Sequence, residues 1–123
     1  MSDILLSINP EFVDKIISGE KHYEYRTRIP KREIKKIIIY CTFPTMKVLA
    51  EAEIKNVLEM SPEKLWKMTQ HYAGISKVRY LKYFEGHDIA YAYELGNVKV
   101  YQKQKSLSEF GCKNAPQSFV YVE

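Results

Sequence analysis

The chain is predicted to fold as an α+β protein: a small mixed β-barrel of about six strands with short helices inserted between them. Three observations predict it. A continuous apolar run, Ile37-Ile38-Ile39-Tyr40-Cys41, has the length and composition of a central strand buried on both faces. Other stretches alternate apolar and polar residues with the period of two that marks half-buried strands. Between them lie segments with apolar residues at helical spacing, opened by a capping residue and closed by glycine. Closing such short strands into a barrel removes exposed edges. A length of 123 residues with 46% hydrophobic composition fits one domain spanning 1–123 with a core of its own.

Taken in order, Ile4 to Ile8 reads as a short strand feeding a helix, with Asn9 as cap and Pro10 in the first turn. Phe12, Val13, Ile16 and Ile17 form its apolar stripe, and Gly19 supplies a left-handed stop. Lys21 to Thr27 alternates as a strand, with Tyr23 and Tyr25 on one face and His22, Glu24 and Arg26 on the other. Pro30 breaks the chain before the Ile37–Cys41 strand, and Phe43-Pro44-Thr45-Met46 makes the next connection. Lys47 to Val57 alternates again, with Val48, Ala50, Ala52 and Ile54 on the core side and Glu51, Glu53 and Lys55 outward. Ser61 caps a helix that has Pro62 in its opening turn and carries Leu65, Trp66, Met68 and Tyr72; Ser76 caps another, carrying Val78, Leu81 and Phe84. Ile89, Tyr91, Tyr93 and Leu95 alternate in a strand, Gly96-Asn97 reads as a hairpin turn, and Val98 to Gln102 as the returning strand. Ser106 to Phe110 is a helical turn and Phe119 to Val122 a closing strand. There is no internal repeat or low-complexity linker.

Charge and punctuation exclude several classes. No apolar run approaches the roughly 20 residues of a membrane helix, and Met1-Ser2-Asp3 lacks the basic start of a secretory signal, so a soluble, cytoplasmic protein is expected. Cys41 and Cys112 stand outside any C-x-x-C or Cys/His array, and His22, His71 and His87 have no metal-ligand spacing, so neither disulfide, metal nor cofactor is expected. Five scattered glycines make no phosphate loop, and Ser118 follows Ala115-Pro116-Gln117 rather than a nucleophile elbow. The net charge is +4, but it is segmental: seven basic residues against two acidic ones lie between Lys21 and Lys36, and Lys99, Lys103, Lys105 and Lys113 form a second group. If the two meet, they make a patch suited to phosphates. Either run alone is ordinary solvated surface.

The most informative stretch is Gly19-Glu20-Lys21-His22-Tyr23-Glu24-Tyr25-Arg26, which sets charged groups into an aromatic strand directly after a helix stop. Its Gly19, Lys21, Glu24 and Arg26 meet a G-x-K-x-x-E-x-R pattern. With the preceding helix, the apolar strand ending Tyr40-Cys41-Thr42, and Ala115-Pro116-Gln117-Ser118-Phe119, the chain resembles the activating-signal-cointegrator homology (ASCH) family over most of its length. The resemblance implies a PUA-like barrel linked to RNA, with a cleft between the barrel and its inserted helices walled by Lys21, Glu24 and Arg26.

Such a cleft would bind RNA or a nucleotide-like ligand. Arg26 offers a planar fork and Lys21 a point charge for phosphate, while Glu24 can accept from a base amino group. Structurally, the same residues read as a Glu24–Arg26 ion pair over core tyrosines, and ten tyrosines spread through the chain suit sheets and cores without any ligand. Some relatives look like hydrolases of RNA or of a modified nucleoside in which the signature lysine is catalytic. For Lys21 to serve as a base its pKa must fall, which a neighbouring Glu24 opposes. The amidohydrolase-like relatives carry threonine where this chain has Glu24. A ribonuclease would use Lys21 to stabilise the charge developing on a phosphorane, with Glu24 beside it, and Tyr40, Glu51, Glu53 or Ser118, candidates by resemblance or sheet position, for proton transfer; the resemblance also implies Tyr40 and Ser118 as ligand contacts, while Glu51 and Glu53 read as exposed strand residues. A protein-interaction module of a transcriptional coactivator type is the remaining alternative.

Overall fold

The computed structural model describes residues 2–122. Its six strands form one mixed sheet in the order β2-β5-β4-β3-β1-β6. Strands β1 (Ser2–Ile8) and β3 (Ile34–Cys41) are parallel and central, with Ile4 opposite Ile37, Leu6 opposite Ile39 and Ile8 opposite Cys41. A parallel pair needs a crossover, and α1 (Pro10–Ser18) with β2 (Tyr23–Arg26) lies in it. Strand β4 (Lys47–Met60) runs antiparallel to β3 and pairs along its length with β5 (Ala90–Lys105). The two remaining helices, α2 (Pro62–Thr69) and α3 (Lys77–Tyr83), fill the connection between β4 and β5. Strand β6 (Phe119–Val122) lines the far side of β1.

Among the described residues no ladder joins β2 to β6, so their hydrogen bonds do not close the sheet. It nevertheless curls, because Phe119 and Tyr121 of β6 pack in the same core as Tyr93 and Leu95 of β5. Bulges in β4 and β5 provide that bending. One bulge overturns the hairpin predicted at Gly96-Asn97. Between the pairs Ala52–Val98 and Ile54–Leu95, β5 carries one residue more than β4, so Gly96-Asn97 is a bulge within one continuous strand and the long β4 is its partner. A second bulge, with Leu49 as the extra residue, turns Val48 to the opposite face from Ala50.

Three cores result. Ile4, Leu6, Ile8, Ile37, Ile39 and Ala50 face α1 through Val13 and Ile16. Leu5, Ile38, Tyr40 and Val48 face the other way, under Leu107 and Phe110 of a short helical turn. The Ile37–Cys41 run is therefore buried on both faces, as predicted. The third core places Tyr25, Ala90 and Ala92 against Leu65, Tyr80 and Phe84 of the inserted helices.

Local chemistry explains most element ends. The Ser61 and Ser76 hydroxyls accept from the backbone N–H of Lys64 and Arg79, and Gly19 ends α1 with φ 86°. Asn9 takes the cap position of α1, but its side chain makes no cap bond; Asn9 Oδ1 accepts from the Thr42 hydroxyl instead. Phe84, at the C-terminal cap of α3, is buried as predicted, but the helix turns Tyr80 inward with it and leaves Val78 and Leu81 exposed, because aromatic rings fill the space above Ala90 and Ala92. No helix of the described residues is long and apolar enough to cross a membrane.

Candidate nucleic-acid cleft

A cleft of about 490 Å³ opens where the end of β1, the start of α1, strand β2 and one face of α3 converge. Lys21 sits at its base. The side chain is 4% exposed, and Lys21 Nζ donates to Ala73 O at 2.6 Å. It also lies 5.2 Å from the centre of the Phe12 ring and 4.9 Å from that of Tyr25, each a favourable cation–π distance. Lys21 and His22 precede β2 rather than belonging to it: the Lys21 N–H donates to Lys15 O, and the His22 N–H to Tyr72 O.

Gly74 explains how a long cationic chain is held in place there. It has φ +66°, and a Cβ at that position would lie 2.5 to 2.8 Å from Cβ, Cγ and Cδ of Lys21. Only glycine lets the loop carrying the Ala73 carbonyl press so closely on the lysine. Burial lowers the Lys21 pKa from 10.5 to about 8; Glu24 pulls upward, and Lys15 and Arg26 add to the lowering. The sequence-based objection that Glu24 would keep this amine fully charged is thus outweighed by desolvation. At about 8, roughly a tenth of the amine is neutral at pH 7.

Glu24 and Arg26 alternate onto the cleft side of β2 while Tyr23 and Tyr25 turn to the helix-lined core, Tyr25 also reaching the cleft lining. Arg26 donates from Nε and Nη2 to Glu24 Oε2, at 3.1 and 2.8 Å, and from Nη2 to Ser7 O at 3.1 Å. The ion pair of the structural reading therefore exists, and both its members still line the cleft. Arg26 bridges β2 to the end of β1, two strands that share no ladder.

Two further cations were missed in the sequence. Arg79, Lys82 and Tyr83 stand at i, i+3 and i+4 of α3 and line the opposite wall. Their spacing was the available signal. Arg79 Nη1 donates to both carboxylate oxygens of Glu11, at 3.0 and 2.9 Å, and its guanidinium lies 5.0 Å from the Phe12 ring centre.

The other predicted site residues lie elsewhere. Tyr40 is buried in the core on the opposite face of β3, where the pleat turns it away from the cleft. Ser118 stands half-buried just before β6, outside the cleft walls; the nearby Pro116 O accepts from the hydroxyl of Ser7, which does line the cleft. Glu51 accepts from Lys36 and Tyr101 at 3.0 and 2.9 Å. Burial alone would raise its pKa, but those bonds, and the charges of Lys36 and Lys99, bring it below the usual value. The two basic segments thus approach each other around the Glu51 carboxylate, away from the cleft. Glu53 is exposed. Among the described residues no group of His, Cys, Asp or Glu is arranged to hold a metal ion.

Comparison with known proteins bears on the family and the fold. The chain is 34% identical over 94 residues to an ASCH domain-containing ribonuclease of Zymomonas mobilis, covering 76% of this chain and 64% of that protein. It is 27% identical over 121 residues, 98% of its length, to the large ribosomal subunit protein uL22 and to the ATP synthase subunit alpha of Ureaplasma parvum. It spans only 39% and 15% of those two relatives. The crystal structure of ASCH from Zymomonas mobilis superposes with a TM-score of 0.89 at 28% identity, covering 98% of this chain and 87% of that one. A tyrosine-to-phenylalanine variant of it gives 0.90 at 27%, covering 100% and 91%. The fold is that of the PUA-like α+β proteins. The ASCH domain family model matches residues 6–117, and the chain belongs to the ASCH domain family.

Proposed function

We propose that this ASCH domain binds RNA, or a nucleotide-like ligand, in the cleft between β2, α1 and α3. The observation that carries the reading is the convergence of Lys21, Arg26, Arg79 and Lys82 on one cleft where, among the described lining residues, Glu24 is the one carboxylate and is paired with Arg26, while Glu11 beside the lining pairs with Arg79. A concave wall of one sign concentrates polyanions, and guanidinium and ammonium groups match phosphate. Phe12, Ile75 and Tyr83 add apolar surface against which a base or ribose can rest. Membership of the ASCH family and similarity to a named ribonuclease support an RNA-related role.

Hydrolysis of RNA in the same cleft is a second reading, favoured by the lowered pKa of Lys21. A neutral amine there can take a proton from an attacking hydroxyl while the arginines stabilise negative charge developing on phosphate oxygens. The test is incubation with a mixed pool of short RNAs and modified nucleosides, read by retention and by mass spectrometry. Salt-sensitive retention that weakens in Arg79→Gln and Lys82→Gln is the expected outcome. Products that disappear in Lys21→Met would establish hydrolysis. Absence of RNA retention, with salt-resistant capture of an acidic or apolar peptide, would overturn the reading in favour of a protein-interaction module.

A further inference from the structure

A second hollow, of about 510 Å³, borders Lys21 from the other side, with His22, Glu53, Lys55 and Asn97 on its walls. His22 on that wall also stacks on Tyr72: the two rings lie parallel, centroids 4.1 Å apart with an interplanar angle of 0°. Both residues are exposed, Tyr72 at 52%. This arrangement differs from that of the core aromatics, where Tyr25 meets Tyr80 at 79°, Tyr80 meets Phe84 at 68° and Trp66 meets Tyr80 at 46°. Nor is the stack needed to anchor these segments. The His22 N–H already donates to Tyr72 O at 2.9 Å, and His22 O accepts from the Leu95 N–H at 2.8 Å. A flat exposed pair uses one face of each ring and leaves the other for a third planar group. Nucleobases stack in that geometry, whatever their identity.

We infer that His22 and Tyr72 form a stacking platform for an unpaired base of a single-stranded RNA that continues out of the first cleft, past Lys21, into the second hollow. Exposed Lys55 stands on that path for a phosphate and Asn97 for a base edge, with Glu53 as the acidic residue facing them. The inference rests on the nucleotide-binding reading of the cleft and extends it from one nucleotide to a strand.

The experiment titrates the full chain with adenosine monophosphate and with oligoadenylates from the dinucleotide to the hexanucleotide. In wild type, affinity should rise with length. His22→Ala and Tyr72→Ala should each weaken the hexanucleotide about 5- to 150-fold, as expected for loss of one stacked base, and leave the mononucleotide unchanged; His22→Phe and Tyr72→Phe should restore binding. Arg79→Gln should weaken both ligands. Affinity that does not grow with length, or alanine variants that leave the hexanucleotide unaffected or weaken both ligands equally, would overturn the platform while the cleft reading stands. If neither ligand binds wild type, both fall.

Discussion

Replacing Lys21 by methionine should change how the stability of the domain depends on pH, and the size of the change follows from the geometry of the cleft. Methionine retains an unbranched chain against Gly74 and removes the ammonium. In the folded protein the amine titrates at about 8 instead of its ordinary 10.5, chiefly because it is buried. The unfolded chain therefore binds more protons through this window, and stability rises with pH. The separation of about 8 from 10.5 corresponds to about 3 kcal/mol withheld from the folded state at pH 7, of which about 2 kcal/mol is regained by pH 9.5. Lys21→Met carries no such term. It leaves the Ala73 carbonyl without its donor, a pH-independent cost of about 1–3 kcal/mol. The informative quantity is thus the difference between the two proteins at each pH. Tyr25, whose pKa is pushed up to about 12 by burial, and the other buried tyrosines pull the opposite way above pH 10. They do so equally in both proteins and cancel. Urea unfolding at pH 7 and pH 9.5 measures the difference. A gain of about 2 kcal/mol in wild type relative to Lys21→Met is expected. A constant difference would mean that Lys21 keeps an ordinary amine pKa, and the case for it as a base would be lost.

Gly74→Ala should destabilise more than Gly19→Ala, although both replace a glycine at positive φ. Gly19 has open space at the Cβ position, so only the left-handed penalty of about 1–2 kcal/mol applies, whereas at Gly74 the clash with Lys21 is added; equal urea midpoints would contradict the packing argument. Tyr25→Phe removes the partner of the Thr69 hydroxyl, 2.6 Å away, while that hydroxyl keeps its bond to Leu65 O; a loss of about 1 kcal/mol is expected, read in the same assay. Glu51 has its pKa lowered, so the stability it provides is present above the usual carboxylate pKa and is lost as pH falls through the folded value. Glu51→Gln should cost about 1 kcal/mol at pH 7, a figure reduced for partial exposure, and the gap from wild type should close in acid. A gap that persists at low pH would assign the loss to packing instead.

Much of the fold was legible because local chemistry and tertiary packing agree. The Ile37–Cys41 run allows one reading, since no face of it is polar, and it is buried on both sides. Ser61, Ser76 and Gly19 end helices where cap chemistry says they should. Gly96-Asn97 was misread because a glycine-asparagine pair between alternating runs satisfies a hairpin and a bulge equally. Only the length of β4, hydrogen-bonded across the pair, decides between them. Around α3, a seven-residue helix, either Val78 and Leu81 or Tyr80 can share the buried side with Phe84, and the alanines of β5 select the larger ring. The charged trio of the cleft is expected from the resemblance that its G-x-K-x-x-E-x-R pattern carries; the β2 pleat accounts only for Glu24 and Arg26 sharing a side, since Lys21 precedes the strand. Arg79 and Lys82 were passed over because they sit in a charge-balanced stretch, where composition conceals a one-sided helix face. Tyr40 is a candidate by resemblance alone, and in a strand buried on both faces the pleat sends it to the opposite core.

The measurement that bears most directly on the cleft is the salt dependence of binding of a short single-stranded RNA to wild type, Arg79→Gln and Lys82→Gln. Both residues are exposed, so the substitutions leave the cores intact. If phosphates lie in the cleft, each variant should bind more weakly, and its plot of log affinity against log salt should be shallower by about 0.7 for each lost contact. Affinities and slopes that match wild type in both variants would place the RNA elsewhere and contradict the account.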